Sequence, residues 1–211
     1  YSAVLACRTC ELLSYQVVAV GVGWHIYELT RDTFSLGLVG LAEVLPFFCV
    51  APFAGYLVDH LPRRRVGIVA CAALATTAVI LVAVSAGWLP FHGTWPIYAA
   101  IALTGMARSF LSPVYNALFA KVLPREDFVR AAGLGSVIFQ AALVTGPALG
   151  GLLVGFGGKT LSYAMAVVFA LAAATVLARL RVGEPGPPAG SLPVFASIAQ
   201  GARFVLNNQI M

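Results

Sequence analysis

The stretch Gly55–Gly67, GYLVDHLPRRRVG, sets an acid, a histidine, a proline and three arginines between two long apolar runs. That contrast is read against the whole chain. Of its 211 residues 60% are hydrophobic and only 10% charged, whereas a soluble domain carries roughly 25% charged residues. The mean hydropathy is +0.91, and too little polar surface remains to face water. Apolar runs of about 20 residues are what the hydrocarbon core of a bilayer requires of a helix. Runs this long must be helical, because a helix closes its backbone hydrogen bonds within the segment. The chain reads as an integral, multi-pass, all-α membrane protein, with the lipid bilayer as its first partner.

Six spans are expected: Leu12–Leu29, Phe34–Val58, Val66–Leu89, Pro96–Ala120, Ala131–Gly158 and Leu161–Ala178. With the N-terminus cytoplasmic, one side holds Arg8, Arg63, Arg64, Arg65, Lys121, Arg125, Arg130, Arg179, Arg181 and Arg203. The other side keeps Arg31 and Lys159, with Trp24, Trp88 and Trp95 near its boundary. Basic residues collect on the cytoplasmic side and tryptophans at the interfaces, so the triple arginine is read as cytoplasmic. The same asymmetry accounts for the net charge of +5 without a nucleic-acid partner, and no basic patch interleaved with aromatics suggests one.

Two organisational units follow. Residues 1–181 form the transmembrane bundle, and 182–211 a cytoplasmic linker. The linker opens with the turn-rich GEPGPPAGSLP and carries Phe195, Ile198, Ala202 and Val205 at the spacing of a helix lying on the membrane surface. No cleavable signal peptide is visible, and both ends read as cut. Cys7, Cys10, Cys49 and Cys71 lack the pairing and histidine spacing of a zinc site and read as free thiols, with no metal or cofactor expected.

Within the opening stretch, Gly55 allows close helix approach. Asp59 can pair with a loop arginine or face the N-terminus of a neighbouring helix. The pattern Gly55, Asp59, Arg63, Arg64 resembles the G-x-x-x-D-[RK]-x-G-[RK]-[RK] signature between the second and third spans of the major facilitator superfamily. His60 stands where a base is usual and Pro62 where a glycine is usual. A second match lies in GLGSVIFQAALVTGPALGGLLVG, Gly133–Gly155. Gly146, Pro147, Gly150 and Gly151 resemble the G-P-x-x-G-G ending of the fifth span of that family's proton-coupled exporters. Read from the residues alone, Gly146-x-x-x-Gly150 and Gly151-x-x-x-Gly155 form flat packing faces, and Pro147 bends the helix. The first two spans, and GARFVLNN near the end, are similar to the branch containing the enterobactin exporter and macrolide-efflux-like proteins.

The resemblance implies the N-terminal six-helix half of a twelve-helix carrier, in a bacterial inner membrane. It implies a secondary transporter that exports a small organic molecule, of drug or siderophore class, by alternating access. The proton gradient drives it, and the loop charges act as a cytoplasmic latch. The missing C-terminal half becomes a partner that covers the second and fifth spans. An uptake carrier of the same family and a stand-alone six-helix channel are the alternatives. A membrane enzyme is disfavoured by the absence of H-E-x-x-H and G-x-S-x-G.

Two ionisable residues fall inside the spans, and such residues point to function. At 1.5 Å per residue, Glu43 lies roughly 24 Å from Asp59 and Arg108 roughly 20 Å from Lys121. They are therefore expected at similar depth, sharing a polar cavity and able to pair. Thr104, Arg108, Ser112 and Tyr115 share one helical face, with Asn116 beside it, as a cavity-lining stripe. Glu43 either carries the coupling proton, its affinity raised by desolvation and lowered by Arg108, or forms a structural ion pair. Gln16, His25 and Gln140 read as interhelical hydrogen-bonders, Gln16 also as a cavity-lining candidate. The family's usual fourth-span arginine falls at Ile101 here, so its role does not transfer to Arg108.

Overall fold

The computed structural model describes residues 2–88, 93–122 and 128–180. The segment 182–211, with Arg203, lies outside the described residues, as do Arg125, Arg181 and the side chains of Lys121 and Arg130. Among the described residues five α-helices follow one another: α1 (Ser2–Thr30), α2 (Thr33–His60), α3 (Arg63–Ser85), α4 (Trp95–Val122) and α5 (Phe128–Arg179). All five are long and apolar enough to cross a membrane.

The fifth and sixth expected spans are the two limbs of α5. A straight helix of 52 residues would run roughly 78 Å, more than twice the hydrocarbon thickness. The chain instead breaks at Gly158, whose φ of 70° and ψ of −177° belong to a region that essentially only glycine occupies. Contacts along α1 give the directions of the limbs. Gly146 and Gly150 face Gln16 and Val20 in parallel order, while the Ser162 hydroxyl bonds Val17, that of Ser14 bonds Ala166 and the Cys7 thiol bonds Ala173 in antiparallel order. The two limbs therefore double back on each other, with α1 against both.

Two boundaries differ from the sequence reading. Helix α1 begins at Ser2, ten residues before the expected Leu12, so Cys7, Arg8, Cys10 and Glu11 belong to the bundle. Helix α3 begins at Arg63, which makes the three arginines its first turn and leaves only Leu61 and Pro62 between α2 and α3. Proline disfavours helical backbone at the residue before it, and Leu61 is extended. Cations at a helix N-terminus oppose its dipole. Arg64 instead reaches across to the carbonyls of Leu177 and Ala178 at the C-terminal end of α5, where the dipole favours positive charge.

The core runs down α1, α3, α4 and the second limb of α5. Val17, Val22, Ile26, Ala78, Leu81, Ile97, Ile101, Tyr163 and Ala166 form its largest cluster, and a second joins Ala70, Leu74, Ala107, Ala170 and Ala173. Small residues at these contacts let helices approach without relying on exclusion of water. His25 is sealed in this core against the Tyr163 hydroxyl at 3.2 Å. At the tryptophan-bearing end, Lys159 pairs with Glu28 at 2.5 Å, tying the turn of α5 to α1. Asp32 caps α2, accepting from the backbone of Phe34 and Ser35, and these bonds hold its carboxyl below the usual value.

Outside the core, α2 and the first limb of α5 display large apolar side chains. Phe34, Phe48, Val137, Val144 and Phe156 are all exposed. Patches of this kind mark surfaces meant for lipid or another protein.

Candidate functional site

Helices α2 and α4 run parallel: the Tyr98 hydroxyl bonds the Ser35 carbonyl near one end, and Arg108 meets Glu43 further along. Gly105 makes the second contact close. A Cβ at this position would collide with the Glu43 backbone carbonyl, so only a bare α-carbon brings α2 this near. Three residues on, Arg108 reaches the Glu43 carboxylate in a direct ion pair, and the paired side chains are 32% and 15% exposed. Tyr15 of α1 completes the centre. Its hydroxyl donates to the second Glu43 oxygen at 3.3 Å, and its ring lies 3.6 Å from the Arg108 guanidinium carbon. Three helices thus converge on one anion–cation pair.

Towards the end of the bundle that carries the triple arginine, a cavity of about 540 Å³ opens between α1, α4 and α5. Arg8, Tyr115, Asn116, Phe119, Ser136, Phe139 and Gln140 are among its walls. The Arg8 guanidinium stacks 4.2 Å from the centre of the Tyr115 ring. Cation, aromatic faces and amides in one concave space suit a small organic molecule.

The polar stripe expected on α4 divides. Tyr115 and Asn116 line the cavity and Ser112 is exposed. Thr104 corrects the reading: it is 2% exposed and does not line the cavity, because its hydroxyl bonds the Ala100 carbonyl and so tolerates burial in the helix contact. Gln16 packs under Gly146 at the α1–α5 contact.

The two signature regions are also placed. Gly146 and Gly150 seat α5 on α1, whereas a Cβ at Gly151, Gly155 or Gly55 would meet nothing within 4 Å. Pro147 is exposed. Asp59 is exposed and, among the described residues, pairs with none of the three arginines. The four cysteines are unbridged, and no group of three or more metal-ligating side chains occurs among the described residues.

Sequence reasoning missed Tyr15, Gly105, Arg8 and Glu11. The first two act across a helix contact, which spacing along one helix does not disclose. The last two are charges just ahead of the expected span start at Leu12, where charge reads as the end of a span.

The sequence profile of the Major Facilitator Superfamily matches residues 4–211. The chain belongs to that family of transporters. Its relatives include Macrolide efflux protein A of Streptococcus pyogenes, 23% identical over 94% of this chain and 49% of the relative. Multidrug efflux pump Tap of Mycobacterium tuberculosis is 30% identical over 92% of this chain and 48% of the relative. The chain spans about half the length of the curated relatives it matches. The fold is that of solved transporters: a crystal structure of peptide transporter POT in complex with alafosfalin superposes with a TM-score of 0.68 at 18% identity, covering 97% of this chain and 44% of that one. The POT family transporter PepTSo superposes with a TM-score of 0.65 at 12% identity, over 89% and 39% of the two chains. This major facilitator chain is therefore a multi-pass membrane protein.

Proposed function

We propose that the chain is the N-terminal bundle of a proton-driven exporter of small organic molecules, working by alternating access in a bacterial inner membrane with its N-terminus cytoplasmic. The observation that carries this reading is the Glu43–Arg108–Tyr15 centre, which lies two turns along α4 from the cavity rather than in its walls, in a chain whose relatives are named as efflux proteins. An ion pair at membrane depth is expensive to maintain and points to a transport pathway. In such carriers one bundle rocks against the other around a midplane site. The cavity wall formed by Arg8, Tyr115, Asn116 and Gln140 supplies this bundle's share of the substrate contacts. Asp59, Arg63 and Arg64 lie at one end of the bundle, suited to latch it to the missing half. Gly146 and Gly150 hold α5 on α1, while Pro147 and Gly151, exposed away from that contact, form the α5 surface on which the bundles rock.

The test is efflux of erythromycin from cells producing the full-length carrier. Export that collapses when a protonophore discharges the gradient supports the reading. Accumulation of erythromycin above that of cells lacking the carrier would reverse its direction, and efflux indifferent to the protonophore would remove the proton.

A further inference from the structure

Arg8, Glu11 and Tyr15 are spaced by three and four residues on α1 and share one face. That face lies along α4, which runs the other way. Arg8 stacks on Tyr115 and Tyr15 on Arg108. On each helix the two contacts are seven positions apart, so the pair stays in register and Glu11 falls near the middle. It is 8% exposed. Among the described residues its carboxyl makes no hydrogen bond and no ion pair. It borders a small space of about 20 Å³ shared with Cys7 and Tyr115, enough for a single water. Glu11 belongs to neither family signature, and nothing in the core packing requires an acid there.

We propose that Glu11 binds and releases the coupling proton in this bundle, with Arg108 shared between Glu11 and Glu43 as it does so. The inference rests on the proton-driven reading above. Glu43 is already neutralised by Arg108 and holds the Tyr15 hydroxyl, so its charge is satisfied in place. Glu11 has no such contact. A carboxylate in a water-poor interior without a bonded cation is costly as an anion, so its charge state follows the access of water to it.

The groups that face it are known on each packed helix. They are Cys7 and Arg8 on α1, Cys71 on α3, and Arg108 and Tyr115 on α4. Leu177 and Leu180, at the end of α5, close the apolar side. Among the described residues, Arg8 and Arg108 are the cations whose fields reach it. Opening of the α1–α4 seam admits water and lets the proton leave, and the resulting anion draws Arg108 from Glu43. The charge on α1 is thereby linked to the α2–α4 contact.

The experiment uses the full-length carrier in proteoliposomes. Infrared difference spectra of wild type against Glu11→Gln isolate the carbonyl stretch of a protonated carboxyl. The expected result is loss of that band in Glu11→Gln, its shift in Glu11→Asp and its retention in Glu43→Gln. Erythromycin efflux driven by an imposed pH gradient should be lost in Glu11→Gln and partly restored in Glu11→Asp. A band that survives Glu11→Gln, or gradient-driven efflux that does, overturns the inference. Wild-type efflux that ignores the gradient would instead sink the proton-driven reading, while the band still reports whether Glu11 holds a proton.

Discussion

Glu43 and Arg108 stand on different helices, and the identity of the partner matters less than the presence of opposite charge. Breaking one member strands the other in a poorly solvated place, which costs about 3–5 kcal/mol in fully buried pairs. Here Arg108 keeps a third of its side-chain surface, so the loss for Arg108→Ala or Glu43→Ala is expected nearer about 1–3 kcal/mol. Reversing both charges, Glu43→Arg with Arg108→Glu, should recover part of that stability because the contact is an end-on pair. It should not recover transport, since the Tyr15 hydroxyl would then face an arginine and its ring a carboxylate. Thermal melting of the detergent-solubilised carrier and erythromycin efflux give the two readouts. Single variants that melt like wild type would show that the pair contributes nothing to the bundle.

At the scale of elements, the helices were legible because hydropathy alone decides which segments leave water. The depth match of Glu43 and Arg108 was legible too, since α2 and α4 run parallel and counting residues along each measures the same axis. What stayed hidden was what depends on contact between helices. The first ten residues of α1 are as apolar as the chain as a whole, but charges read as loop, whereas Arg8 and Glu11 turn into the bundle, so the helix start was placed at Leu12. The arginines looked like loop because charge marks loops, whereas the Pro62 ring makes them the opening turn of α3. The hairpin of α5 was legible, since the fifth and sixth spans were divided at Gly158 and Leu161 with Lys159 between them, and the chain breaks at Gly158. Its left-handed backbone at Gly158 gives a direct prediction: Gly158→Ala should cost about 1–3 kcal/mol and splay the limbs. Gly157→Ala is a poor control, because a Cβ there meets Leu161. Gly87, also at positive φ but in the turn after α3, serves better. Gly87→Ala should strain its own turn and leave the α1–α5 contact intact, as read by unchanged alkylation of the Cys7 thiol, which bonds the Ala173 carbonyl.

For the whole molecule, the glycines fall into two populations that separate folding of this bundle from assembly of the carrier. Gly105 and Gly146 have no space for a methyl group: one meets the backbone of Glu43 and the other the stem of Gln16. Backbone cannot swing aside as a side chain does, and overpacking of a tight contact costs about 1–3 kcal/mol. Gly105→Ala should therefore lower the melting temperature of the bundle and weaken the Glu43–Arg108 pair. Gly55, Gly151 and Gly155 face open space in this bundle, on helices that also present exposed phenylalanines and valines. Alanine in a helix interior is more favourable than glycine by roughly 0.5–1 kcal/mol, so Gly151→Ala should leave the isolated bundle as stable as before or slightly more so. If a second bundle docks on this face, a larger residue there acts only when that bundle is present. Gly55→Leu and Gly151→Leu should then leave the melting of residues 1–211 unchanged, yet reduce both the yield and the transport of the full-length carrier. Should Gly151→Leu destabilise the isolated bundle as much as Gly105→Ala does, the open face is already occupied within this half, and the docking surface must be sought elsewhere.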